Sequence, residues 1–497
     1  MTMLVPPSRD DAVELPDWNY RTWVVAVGGA LVTVLALLGI RFVFHGYLFA
    51  DDEFSAWFQA EIFARGKLTG GVPTAWCPYT PALTPTSIYS SAPRCSWWLS
   101  YLPLHSLMQA PFIRLGVGRL GVPLLSGLSV WLVASIARKA WPDKPMRPYG
   151  AALFMVTSTQ ILFMSMSMFS MPTHLFFSLL WLWLYVDDRL WSNVVMPFVG
   201  VLAVGVHSPF PHLLLIPPFV LRYLWNRRFV MFGYVVLAYG VGLMYWTGYI
   251  AALPQTATVT TVAAPGATAA VALHIFSLPS AEQGLVTSMH LALVASWNAP
   301  IAIISAIAAV LSWRRLDDFS RDAVLSILVI VAARLLKPTP QGQGWGYRYI
   351  YDGLASLALL SAIGFEVLAI STGKRRALGL VLASSLIMLI VQIPARAAGV
   401  ASIVGPYQRG FAWMSTRNVD AVIFPSERVR WGNQLVRNDP FLRNRPKILN
   451  ESSLSRDQLR ALESAPNLTI LRLTRDSLTA HGFPSGIVRI GSSYIVE

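Results

Sequence analysis

The chain has 497 residues, 55% of them hydrophobic and 13% charged, whereas an ordinary soluble domain carries roughly 25% charged residues. That composition excludes a soluble globular protein and a disordered one. A net charge of +14 would suit nucleic acid, but the Arg and Lys residues lie mainly between apolar runs, where membrane orientation and lipid headgroups account for them, so nucleic acid is excluded as a partner.

An α-helical polytopic membrane protein is the expected fold. A helix crosses the hydrocarbon core in about 20 residues, and eleven apolar runs serve as candidate spans: 23–44, 121–137, 149–167, 173–188, 193–208, 211–225, 229–251, 286–311, 322–336, 350–370 and 377–394. Residues 1–22 form a polar, Pro-containing tail, and the first run lacks a small-residue cleavage site close behind it, so it reads as a retained anchor. Alternate loops carry Arg138, Lys139, Lys144 and Arg147, then Arg222, Arg227 and Arg228, then Arg314, Arg315 and Arg321, then Lys374, Arg375 and Arg376. This positive-inside pattern places the tail in the cytoplasm, and the loop 45–120 and the carboxyl terminus outside.

The first outer loop opens with "HGYLFADDEFSAWFQAEIFARGKL", in which Asp51, Asp52 and Glu53 follow the first span directly. Phe54, Trp57, Phe58 and Ile62 recur behind them at helical spacing, and Trp97, Tyr101, Met108 and Phe112 repeat the pattern near the loop's other end. Both stretches are expected as interfacial helices with their aromatic faces at headgroup depth. The acids would sit at the positive end of the first helix, where capping explains any one of them as well as catalysis does. Three exceed what a cap requires. Cys77 and Cys95 are the only cysteines and share this loop, where an oxidising compartment permits a disulfide, with two unpaired thiols as the alternative.

Further along, "HSPFPH" (His207–His212) sets two rings around two prolines. It reads either as a broken helix entrance lining a cavity or as imidazoles that satisfy carbonyls freed by Pro209 and Pro211. The Ala/Thr/Val-rich stretch Gln255–Leu273 is expected to be a mobile outer loop. Between the ninth and tenth spans, "KPTPQGQGWGYRY" offers Lys337, Tyr347, Arg348 and Tyr349. Arg grips phosphate oxygens with two parallel bonds and the glycines permit close backbone approach, while Lys337 serves equally as an interfacial anchor. Residues 395–497 are charged and punctuated, with strand-like "DAVIF", "PKIL", "LTILRL" and "GIVRI" and a helix from about Arg456 to Ser464 opened by a Ser455/Gln458 capping box. They are expected to form a small outer α/β domain. No nucleophile elbow, Gly-rich phosphate loop or Cys/His metal spacing occurs.

This order of parts, with "ADDEFSAWFQAEIFARGKL", "FMSMSMFSMPTHLFFSLL" (Phe163–Leu180) and "GWGYRYIYDGLASLALLSAIG" (Gly344–Gly364), resembles the GT-C glycosyltransferases. More narrowly, it is similar to bacterial relatives of protein O-mannosyltransferases and of the lipid A aminoarabinose transferase, over the 23–394 region. The resemblance implies transfer of a sugar from a polyprenyl-phosphate carrier to a hydroxyl of a lipid, glycan or protein acceptor, among membrane lipids at the outer face of the bacterial cytoplasmic (inner) membrane. Asp52 matches the catalytic position of the class, with Asp51 and Glu53 as candidates for orienting the base or holding a divalent metal; no other cofactor is assigned. Arg348, Lys337, Tyr347 and Tyr349 would bind the donor phosphate, and His174, His207 and His212 would line the cavity. Many members hold a second carboxylate where "MFSMPTHLF" has only Ser170 and His174. The competing functions are a lipid-linked sugar flippase or transporter, which would show inverted repeats and midplane charges, and a non-catalytic membrane assembly factor.

Overall fold

In lipid every backbone N–H and C=O must find its partner inside the segment, so apolar stretches fold as helices. The computed structural model describes residues 21–91, 93–253, 280–336, 344–474, 483, 488–490 and 493–495. The amino-terminal tail apart from its last two residues, the expected loop Gln255–Leu273 and Lys337 lie outside them. In chain order the elements are α1 (Thr22–Phe42), α2 (Asp51–Ala64), β1 (Gly70–Gly71), β2 (Ile88–Ser91), β3 (Ser96–Leu99), α3 (Leu104–Arg114), α4 (Gly121–Ala140), α5 (Arg147–Val156), α6 (Thr159–Ser165), α7 (Met171–Asp187), α8 (Leu190–Val204), α9 (Phe210–Leu215), α10 (Pro217–Trp225) and α11 (Phe229–Ala252). After them come α12 (Ala281–Trp297), α13 (Pro300–Leu311), α14 (Asp318–Leu336), α15 (Gly353–Thr372) and α16 (Lys374–Ser415).

Among the described residues, α1, α4, α11, α15 and α16 are each long and apolar enough to cross a membrane, and α12 with α13 reaches the same measure as a pair bent by 117°. The chain is a multi-pass membrane protein. Several of the expected runs are broken helices. The bend between α12 and α13 comes at Asn298 and Ala299, where Pro300 starts the next helix, and α9 gives way to α10 at Ile216, before Pro217 and Pro218. Proline removes an amide donor and disfavours helical geometry in the residue before it. The expected boundary at 394 falls inside α16. A π-helical turn at Met388–Gln392 lets the helix pass Pro394 and run on to Ser415.

The helices approach closely where side chains are smallest, the usual device when lipid removes any hydrophobic drive between them. A Cβ on Gly29 of α1 would lie 2.5 Å from the Gly127 carbonyl oxygen of α4, and one on Gly364 of α15 would lie 1.7 Å from the Ser305 carbonyl oxygen of α13.

The outer loop departs from its expected form. Helix α2 forms as expected, but Trp97 belongs to β3, which pairs antiparallel with β2 and β1, and α3 starts only after Pro103. The spacing of Trp97 and Tyr101 is therefore not helical. Nor does lipid cover all of α2's aromatic face. Phe58 and Ile62 are fully buried with Trp97 against Ala421, Ile423 and Leu449. Those residues lie on β4 (Ala421–Phe424) and β5 (Lys447–Asn450), which with β6 (Ile470–Arg472) form a parallel sheet of order β5–β4–β6; α17 (Arg456–Glu463) connects β5 to β6, and β7 (Val488–Ile490) pairs antiparallel with β8 (Ser493–Ile495). All of β4 is buried, as suits the centre of a parallel sheet. Asn438 donates to the Leu83 carbonyl (2.9 Å), Trp97 to that of Pro440 (2.7 Å) and Gln458 to that of Pro78 (2.8 Å), so the segment 438–458 is fastened against the loop 45–120. Cys77 and Cys95 are joined by a disulfide within that loop, their Cα atoms 5.2 Å apart.

Because a methyl at Gly364 meets backbone rather than a mobile side chain, Gly364→Ala should destabilise by about 1–3 kcal/mol through overpacking. The measurement is thermal melting in detergent beside Gly379→Ala, whose Cβ would meet nothing within 4 Å. Equal melting temperatures for the two variants would refute the close α13–α15 approach.

Candidate active site

The three acids open α2, and each does something different. Ala50 precedes the helix and has no side chain to cap it. Glu53 reaches back instead: its Oε2 accepts the Ala50 amide (2.8 Å) and its Oε1 accepts the Met168 amide just before α7 (3.0 Å). Fully buried, it is the helix cap and a tie between two segments, and burial pushes its pKa up despite those bonds. Asp51 is half-buried beside Arg437 of the carboxyl-terminal segment; burial, and then Asp52's negative charge, push its pKa up to about 6 against the pull of Arg437. Asp52 turns into the molecule. One oxygen accepts from Tyr101 Oη at 2.9 Å, and the other pairs with Arg348. Burial opposes its ionisation, but the Arg348 charge and the hydrogen bonds from Arg348 and Tyr101 outweigh that and hold its pKa below the ordinary carboxylate value.

Arg348 comes from the turn between α14 and α15. Gly346 takes φ +63°, and a Cβ there would lie 1.6 Å from Gln160 Oε1, so only glycine fits. The Gln160 side chain staples the turn, donating to the Trp345 carbonyl and accepting the Tyr347 amide, each at 2.9 Å. The Arg348 guanidinium then lies 4.4 Å from the Phe169 ring centre.

Asp52 and Arg348 line a cavity of about 490 Å³ whose apolar wall includes Leu243, Trp246, Ile250, Ile330 and Ala333. Of the other expected residues, His174, His207 and Tyr349 also line it, and the His207 ring lies on Tyr101 at 3.9 Å between centres. Two do not. Tyr347 turns into the core, where its hydroxyl accepts from Asn298 (2.6 Å), and it borders a separate space of about 60 Å³. His212 is fully buried between Ser178 (3.1 Å) and Tyr239 (2.7 Å). The break in "HSPFPH" does line the cavity, through Ser208, Pro209, Phe210 and Pro211. Its freed carbonyls are taken by backbone: Leu104, His105 and Leu102 donate to Gly205, Val206 and His207 at 3.0–3.2 Å.

The cavity also contains Tyr101, Arg334, Tyr351 and Asp352, which the sequence reading did not select. A signal for two of them was present. Arg334 and Asp352 are ionisable groups at the ends of apolar runs, where charge is costly and is normally retained for function. The acids do not make a metal donor set: Glu53 spends its oxygens on two amides, Asp51 faces Arg437 and Asp52 faces Arg348. Among the described residues no three His, Cys, Asp or Glu side chains converge as a metal site would require.

Neither family models nor curated proteins match the sequence. Solved structures do match the fold. ArnT from Cupriavidus metallidurans in the apo state superposes with a TM-score of 0.58 at 13% identity, covering 92% of this chain and 94% of that one. The same protein bound to undecaprenyl phosphate gives 0.54 at 13% identity, covering 92% and 90%. An Archaeoglobus fulgidus oligosaccharyltransferase in complex with Zn and sulfate gives 0.42 at 12% identity, over 83% of this chain and 61% of that one. The fold is thus that of ArnT over nearly the whole chain.

A carboxyl group whose pKa rises from 3.8 to about 6 on folding binds its proton more tightly in the native state, so it removes stability as pH climbs through that interval. The melting temperature of the Asp51→Asn protein should therefore exceed that of the wild type by a few degrees at pH 7.5, and the gap should close towards pH 4. A gap that does not change with pH would mean that Asp51 titrates as an ordinary carboxyl group.

Proposed function

We propose that the chain is a membrane glycosyltransferase that moves a sugar from a polyprenyl-phosphate carrier to an acceptor hydroxyl at the outer face of the bacterial inner membrane. In this reading the helices cross eleven times, and the sheet β5–β4–β6 and all that follows Ser415 lie outside with the first outer loop. One observation carries it: Asp52 and Arg348, 296 residues apart in sequence, meet at the wall of a cavity whose remaining lining is largely apolar. A carrier with an anionic head and a hydrocarbon tail needs such a site. The ArnT fold, solved in one case with undecaprenyl phosphate, supports the same donor class.

The proposed chemistry is a single displacement. Arg348 exchanges its carboxylate partner for the donor phosphate, which it can grip with two parallel bonds. Asp52, relieved of that cation, becomes the stronger base, and Tyr101 keeps it aimed. The acceptor hydroxyl gives its proton to Asp52 as its oxygen bonds to the sugar's anomeric carbon. The bond from that carbon to the phosphate oxygen breaks, its electron pair leaving with polyprenyl phosphate. Tyr349 and His207 border the same space and can donate to phosphate or sugar. No step requires a metal.

Asp52→Asn keeps the side chain's shape, leaves the Glu53 cap untouched and removes the proton acceptor, so transfer by purified protein, assayed below its melting temperature, should fall about 100-fold or more, while the unpaired Arg348 charge lowers that melting temperature. Undiminished transfer would exclude Asp52 as the base. Arg348→Lys should weaken binding of undecaprenyl phosphate about 10-fold although charge is preserved, because an ammonium cannot reproduce the planar fork; unchanged affinity would make Arg348 a structural partner of Asp52 alone.

A further inference from the structure

Beyond the Asp52–Arg348 pair, the cavity holds polar groups that the displacement does not use. Arg334, Tyr351, Asp352 and His174 all line it and are 9%, 2%, 4% and 2% exposed. Among the described residues, both Asp352 oxygens, the Tyr351 hydroxyl, both His174 ring nitrogens and Arg334 Nε have no hydrogen-bond partner. Arg334 and Asp352 do not join in an ion pair there either. Buried polar atoms in native proteins are almost always satisfied, so such a concentration in one cavity marks where a ligand's polar groups belong.

The chemistry of the open valences narrows that ligand. A carboxylate only accepts and a guanidinium only donates, so a group serving both must donate and accept, which a hydroxyl does. A polyprenyl tail has nothing to offer them, and a second phosphate would be repelled by Asp352. Position agrees. The Arg334 and Arg348 guanidinium carbons lie 5.2 and 5.6 Å from the centre of the same ring, Tyr349, so a group attached to a phosphate at Arg348 comes within reach of Arg334.

We propose that Asp352 and Arg334 form the recognition site for the donor's sugar, a neutral monosaccharide whose ring hydroxyls donate to Asp352 and accept from Arg334. This rests on the transferase reading above and adds the substrate class to it. Asp352 is a specificity residue here; the proton acceptor remains Asp52. A site built to bond hydroxyls discriminates strongly, because an analogue lacking them leaves its buried polar groups unpaired.

The test compares wild-type and Asp352→Asn protein in nanodiscs for binding of undecaprenyl phosphate and of its mannosyl, glucosyl, galactosyl, uronosyl and aminopentosyl derivatives. Wild-type protein should bind at least one neutral hexosyl lipid about 10-fold or more tightly than bare undecaprenyl phosphate, on the scale of discrimination by hydroxyl-bonding sites. Asp352→Asn should erase that preference while leaving affinity for the bare lipid unchanged. Should Asp352→Asn not fold, Arg334→Gln is read in the same assay with the same expectation. A preference that survives the substitution, a stronger preference for the charged sugars, or no preference for any sugar overturns the assignment. Failure of the bare lipid to bind wild-type protein would overturn the donor reading itself, and this inference with it.

Discussion

A single ion pair at the cavity wall organises this molecule. Asp52 and Arg348 are 19% and 7% exposed at their side chains, and either charge alone would be expensive there, since breaking a buried pair by removing one partner typically costs about 3–5 kcal/mol. Their meeting fixes the start of α2 against the turn that leads into α15. Everything near them holds those two segments in place. Glu53 ties α2 to the segment before α7, Gln160 ties α6 to the turn, and Tyr101 brings the end of the antiparallel sheet to the carboxylate.

The carboxyl-terminal segment adds a second support from above. Arg437 is buried, donates to the Phe49 carbonyl at 3.1 Å and lies 3.9 Å from the centre of the Tyr47 ring, just ahead of the acids. The sheet around β4 then covers the buried face of α2. These contacts explain why a helix carrying three acids in its first turn stays put: one acid is a cap, one faces Arg437 and one is paired with Arg348.

The multi-pass helical character was legible because apolar length is a physical requirement of the bilayer. The individual turns were less so. Pro300 and Pro217 break helices inside runs that look continuous by hydropathy, and the π-helical turn before Pro394 carries a helix through a residue that normally ends one. In the site, Asp52 was visible in an acidic triplet larger than a helix cap requires and Arg348 in a Gly-rich turn, whereas Tyr347 and His212 were not separable from their neighbours. Which side of a turn faces the cavity depends on packing, here the Asn298 and Ser178/Tyr239 contacts, and no local spacing encodes it. Trp97 failed for a related reason: apolar residues near a turn match a helical period by chance, and its strand partners lie elsewhere in the chain. Arg334 and Asp352 were readable by a different rule, as ionisable groups at the ends of apolar runs.

The exchange of partners at Arg348 is open to direct observation. A cryo-electron microscopy structure of the protein in nanodiscs saturated with undecaprenyl phosphate should show phosphate oxygens within hydrogen-bond distance of the Arg348 guanidinium, with the Asp52 carboxylate released and facing the cavity. Lipid phosphate bound elsewhere, with the Asp52–Arg348 pair intact, would contradict the proposed role of that pair.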